Sequence, residues 1–276
     1  MSAPKWRDYR MSETDNTSSP GSRPRSTTAR LTSLMRRADS LAELGKYDEA
    51  IASVQEALAI SPRNPRFNTR LAAFYRAQNR IGPAIDAMQR VVEHDPGNAG
   101  MQQLLLRTLI EVGRYDEAID TSHRLLKRSP KSILARDVLG VVYLQQGRLD
   151  QALKVTEELI QLAPTDSAHH FKKAVLLQQK GEIAAAMNGF LRSLELDPTG
   201  EMSEDAREAI AALDSYQLRQ LLTVAVEDAV FRAKLAIDPE SALQERGYRL
   251  SPSGVAALRQ IDLNDLPGDA RSRYYH

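Results

Sequence analysis

Five prolines, Pro62, Pro96, Pro130, Pro164 and Pro198, stand 34 residues apart without an insertion or a deletion. Twelve residues before each comes an alanine: Ala50, Ala84, Ala118, Ala152, Ala186. Five before each alanine stands Gly45, Asn79, Gly113, Gly147 or Gly181. A unit of this length cannot bury an apolar face alone and must stack on its neighbours, so residues 31–200 read as a five-fold array.

The third unit, 99–132, shows what each one is built from. Met101, Leu104, Leu105, Thr108, Leu109 and Val112 recur at three and four residues, the spacing of an amphipathic helix. Gly113 supplies the left-handed backbone that ends it, and in the second unit Asn79 tolerates the same conformation. Asp116 and Glu117 then fall in the first turn of a second helix, where the helix dipole favours acids. Ala118 sits where the two helices cross, and Pro130 stops the second helix.

These landmarks, with "Gly-Lys-Tyr-Asp-Glu-Ala-Ile" from Gly45 and "Gly-Arg-Tyr-Asp-Glu-Ala-Ile" from Gly113, resemble the tetratricopeptide repeat. The small residue of the first helix is Ala38, Ala72, Gly140 or Ala174, and Leu106 departs from it. The seventh place, usually leucine, holds Leu71, Leu105 and Leu139, but Arg37 and Lys173 in the first and fifth repeats. A polar end-cap accounts for Arg37 more readily than for Lys173, which has more chain behind it. The resemblance implies an all-α fold: a right-handed superhelical α-solenoid of five helix-turn-helix repeats with C-terminal capping helices and a small helical module.

Before the repeats, residues 1–30 hold ten Ser/Thr, three prolines and six Lys/Arg against three acids, with almost nothing aliphatic. Such a stretch cannot offset its ordering entropy and is expected to be a disordered tail, with no apolar run that would make it a secretory signal. Trp6 and Tyr9, beside Lys5, Arg7 and Arg10, can instead serve as a short docking motif, and Met11 is an alternative start.

Past Gly200 the period is lost. Ser203, Glu204 and Asp205 open a helix expected to run to about Leu213 and to cap the array over 201–214. From Ser215 a second helix carries Leu218, Leu221, Leu222, Ala225 and Ala229. Asp238-Pro239-Glu240 and Ser251-Pro252 start two more, Gly247 closes the first of them, and 263–276 reads as a flexible tail. Residues 215–262 are thus a small helical module. Its Phe231-Arg232, Leu235, Asp238-Pro239, Ala242-Leu243, Gly247-Tyr248 and Ala256-Ala257-Leu258 resemble the module shared by leader peptides related to nitrile hydratase and the small subunit of some extradiol dioxygenases. Those families often place a proline after the acid that here is Asp228, whereas this chain has Ala229. Asn264 to His276 contains one serine, so the chain is not read as a peptide precursor.

No reactive constellation stands out. With no cysteine, disulfides and thiolate chemistry are excluded, in keeping with a reducing, cytoplasmic location. His169 and His170 are adjacent and point about 100° apart on a helix; like His94, His123 and His276 they read as surface residues, not metal ligands. The chain is therefore expected to be no enzyme and to need no cofactor or metal. Its net charge of +1 argues against nucleic acid, and no segment is apolar enough for a membrane span.

A groove remains. In the tetratricopeptide fold the second, fifth, sixth, ninth, twelfth and thirteenth places of each first helix face a concave surface. Carried over, these places hold Arg36, Arg66, Arg70, Arg76 and Arg107 in the first three repeats, with Asp39, Glu43 and Glu111 among them. The last two repeats place Leu134, Val138, Val141, Leu144, Phe171 and Val175 there, with Asp137 and Lys172. The chaperone-tail clamp of this fold is absent, since Met35, Asp39, Gly100 and Leu104 occupy its places. The expected role is a protein-interaction scaffold or assembly factor binding a protein or peptide partner, acidic at one end and apolar at the other. The alternative is an accessory or substrate-like protein of a peptide-modifying or enzyme-subunit system, recognised through its C-terminal helical module.

Overall fold

The computed structural model describes residues 25–263 and Leu266. They form fourteen α-helices, with no strand among the described residues. The chain packs as two compact units, one reaching to Met101 and the other beginning at Gln102.

The first unit holds α1 (Arg25–Glu43), α2 (Tyr47–Ile60), α3 (Pro65–Ala77) and α4 (Ile81–His94), each packed on the next. The start of α5 (Ala99–Glu111) completes it. The helix α1 begins six residues inside the stretch expected to be unordered, and the Trp6–Tyr9 motif lies outside the described residues. Ala50, Ile85, Met88 and Val91 are fully buried between the helices.

The second unit continues with α6 (Tyr115–Arg128), α7 (Ile133–Gln145), α8 (Leu149–Leu162), α9 (Ser167–Gln179) and α10 (Ile183–Leu196). From α6 to α10 each helix packs on its successor. One core gathers Leu139, Tyr143, Ala152, Ala186, Met187 and Phe190. At Gly189 a Cβ would come 2.8 Å from that of Ala174, so α9 and α10 approach where only hydrogen fits.

Every turn inside a repeat is the same device. Gly45, Asn79, Gly113, Gly147 and Gly181 all take positive φ, Asn79 at 58°. The next residue's N–H then reaches back to a carbonyl of the helix, as from Lys46 to Leu41 at 2.9 Å and from Arg80 to Tyr75 at 2.8 Å. This paired closure satisfies carbonyls that the helix end leaves open. All five alanines behind the turns are 0% exposed, Ala118 among them.

After the fifth repeat the structure departs from the expectation. There is no break at 214–215: α11 (Ser203–Glu227) is one helix of 25 residues, with no glycine or proline to interrupt it. Its first half sends Ala206, Ile210 and Leu213 into the core of the last repeats. Its second half sends Leu221 and Ala225 into a separate core with Phe231, Leu235, Leu243 and Leu258. The chain turns instead at Asp228, whose carboxylate accepts the Phe231 N–H at 2.9 Å and caps α12 (Ala229–Ile237). The last helices, α13 (Pro239–Glu245) and α14 (Pro252–Arg259), begin at the Asp-Pro and Ser-Pro pairs as expected. The flexible tail expected over 263–276 does not include Leu263, which is buried, or Leu266, which packs on the same core, because both are apolar and the module has a face to receive them.

Candidate protein-binding surfaces

Charge is segregated in the first unit. The helix α3 carries Arg66, Arg70 and Arg76 and no acid, while α1 carries Arg30, Arg36 and Arg37 with Asp39 and Glu43. The paired helices are the reverse: α2 has Asp48, Glu49 and Glu56 and no Lys or Arg, and α4 has Asp86 and Glu93 with Arg90. Arg36, Arg66 and Arg76 are exposed, and Arg70 is half-buried. Among the described residues Arg36 and Arg76 enter no ion pair, so the two first helices are not simply neutralised by their own acids.

Arg70 is held in place. Its Nε lies 3.4 Å from Asp39 Oδ1, an ion pair that joins α3 to α1. That oxygen is shut off from solvent yet accepts no hydrogen bond. Burial pushes the Asp39 carboxyl above the usual carboxylate range; the Arg70 guanidinium pulls the other way, and Glu43 one turn on adds to the rise.

In the second unit Arg107 is exposed and paired with Glu111 on its own helix at 3.3 Å. Val141 is exposed, and Leu134, Leu144, Phe171 and Val175 are half-buried. Val138 is a correction: at 7% exposure it belongs to the interior and offers a partner nothing. Phe171 is shared, since its ring meets the fully buried Phe190 edge-on at 5.4 Å. Lys172 reaches Asp137 at 2.7 Å and ties α9 to α7.

His169 is a second correction, for it is buried at 3% exposure, not a surface residue. It stands at the third place of its repeat, where Phe67, Met101 and Ala135 are buried too, and comparing that place across repeats would have found it. Its Nε2 lies 3.5 Å from Asp166, while the His170 ring bonds the Pro164 carbonyl at 2.9 Å. Lys173, the awkward exception at the leucine place, is half-buried and paired with Glu157 at 2.9 Å. No group of three His, Asp or Glu residues could hold a metal ion among the described residues.

One concavity went unread in the sequence. A cleft of about 1210 Å³ lies between α10 and the module, with Leu191 and Leu194 on one wall and Leu243, Leu250 and Val255 on the other. Leu191 was its signal: the same place in the other repeats holds Gln55, Gln89, His123 and Glu157.

The Tetratricopeptide repeat family matches residues 41–107, 84–140 and 109–176 in three overlapping stretches. These are tetratricopeptide repeats. Solved structures agree on the fold. A MamA crystal structure superposes with a TM-score of 0.50 over 62% of this chain and 93% of that one, at 23% identity. YrrB, described as a TPR protein with an unusual peptide-binding site, superposes with a TM-score of 0.50 over 66% and 97%, at 15% identity. No curated protein matches the chain in sequence. Tetratricopeptide-repeat proteins generally act as non-catalytic scaffolds for protein or peptide partners. Among the described residues no helix is long and apolar enough to cross a membrane.

Proposed function

We propose that this tetratricopeptide-repeat chain is a protein-interaction scaffold whose first-helix face, in the first unit, captures an acidic segment of a protein partner. The observation that carries the reading is the charge segregation: arginines on α1 and α3, acids on α2 and α4. Arginine presents a planar fork of donors matched to carboxylates, and an exposed face of one sign also steers an oppositely charged partner. In the second unit Leu134, Val141, Leu144 and Val175 are apolar places open to a partner side chain.

The test is fluorescence anisotropy of the full chain with a labelled hexa-aspartate peptide, against hexa-lysine as control. Arg36→Ala with Arg76→Ala should weaken capture of hexa-aspartate about tenfold and flatten its salt dependence, with two exposed charges removed. Arg90→Ala, on the acidic helix α4, should leave it unchanged. Equal affinity for both peptides, or for all variants, would overturn the reading.

A second reading has its own observation. On α12, Val230 is 69% and Ile237 86% exposed, one above the other on the helix face. An accessory protein recognised through its module would use that face. Val230→Ser with Ile237→Ser would then abolish partner binding, while the arginine variants would not.

A further inference from the structure

We propose that Asp39 is a built-in competitor for Arg70: it occupies the guanidinium while the face is empty, and a partner's carboxylate displaces it. The inference rests on the acidic-segment reading above and names the residue that sets its threshold.

The geometry is that of a replaceable contact. At 3.4 Å the Nε–Oδ1 pair is longer than a charge-assisted hydrogen bond, which closes to about 2.7–2.9 Å. The Asp39 oxygen facing Arg70 accepts no hydrogen bond from anything else, although solvent does not reach it. That one oxygen is thus poorly solvated and poorly bonded at once, while the Asp39 side chain as a whole is 40% exposed and can turn to solvent once displaced. Arg70 is still 39% exposed in its side chain, so a second carboxylate can approach it from solvent. A partner carboxylate is free to align both oxygens with the guanidinium fork, which Asp39, fixed on α1, does not do. The charged groups acting on Asp39 are Arg70 from α3 and Glu43 from its own helix. Glu43 repels the same charge from one turn away and so disfavours the ionised form of Asp39 that pairs with Arg70.

The experiment uses the full chain and hexa-aspartate, with Asp39→Asn, Glu43→Gln, Arg70→Ala and the Asp39→Asn/Arg70→Ala double variant. Asp39→Asn keeps the shape and removes the competing charge. It should tighten capture about fivefold, the scale of a half-exposed ion pair. Glu43→Gln removes an equal charge nearby without touching Arg70, so its gain should be clearly smaller. In the Arg70→Ala background most of the Asp39→Asn gain should vanish. Circular-dichroism melts check that each variant is folded. Equal gains from Asp39→Asn and Glu43→Gln would reduce Asp39 to background charge and overturn the proposal while the acidic-segment reading stands. A full Asp39→Asn gain without Arg70 would overturn it in the same way. Should hexa-aspartate bind no variant, and the unaltered chain no better than hexa-lysine, the reading and the inference fall together.

Discussion

Gln217 closes both ends of its side-chain amide on the backbone of Arg249. Its Nε2 donates to the Arg249 carbonyl at 2.7 Å, and its Oε1 accepts the Arg249 N–H at 2.9 Å. One turn earlier on α11, the buried Asp214 carboxylate accepts the Ser251 N–H at 2.9 Å and the Ser251 hydroxyl. The Ser251 hydroxyl in turn accepts the Gly254 N–H at 3.1 Å and caps α14. A Cβ at Gly254 would meet Asp214 at 2.4 Å, so the glycine makes room for the carboxylate.

The first prediction follows from that joint. Gln217→Ala leaves two backbone groups of Arg249 without their partner and should cost roughly 1–3 kcal/mol. Denaturant unfolding measures the loss. Hydrogen exchange should locate it at the Arg249 amide and α14, with α6 to α8 unaffected.

The crossing alanines set the second. Ala118 is 0% exposed, so Ala118→Leu should cost roughly 1–3 kcal/mol by overpacking. An unchanged melting temperature would contradict the packing.

Asn79 offers a third, through backbone alone. Its φ of 58° is one that glycine adopts freely and alanine resists. Asn79→Gly should leave stability near its starting value, and Asn79→Ala should lower it by about 1 kcal/mol. Paired thermal melts distinguish the two.

The fourth concerns acid. The Phe231 N–H holds the Asp228 carboxyl below the usual carboxylate range, and Arg246 adds to the effect. A carboxyl depressed in the folded state contributes stability above its unfolded value and loses it as pH falls through the folded one. Asp228→Asn keeps an acceptor for the cap but no titrating charge. Its stability should therefore fall less steeply than that of the unaltered chain between neutral pH and strong acid, as followed by melts across that range.

Much of the array was legible in advance because each 34-residue unit repeats its own grammar: the five turns and five alanines are local features. The continuity of α11 was not. A helix that serves one core shows one apolar stripe, but α11 serves two, and its stripe shifts between Leu213 and Leu221. The buried polar residues Asp214 and Gln217 lie across that shift, and the expected break between two helices, after Leu213 and before Ser215, falls at the first of them. The absence of glycine and proline from 201–227 was the better guide. For the candidate surface, the sequence named the arginines but not their restraint. The Asp39–Arg70 pair joins residues 31 positions apart, and no local pattern encodes it.

The shared helix also decides how the second unit comes apart. A stack of repeats loosens from an exposed end, each unit leaning only on its neighbour. Here α11 runs roughly 37 Å without a break through the core of the last repeats and then through that of the module. Fraying at the fifth repeat would have to begin in a helix whose far half is clamped by Phe231, Leu235 and Leu258. The module works as a keystone: the helix that closes the last repeat is also a wall of the module's own core, so the end of the array is anchored where a plain stack would be bare.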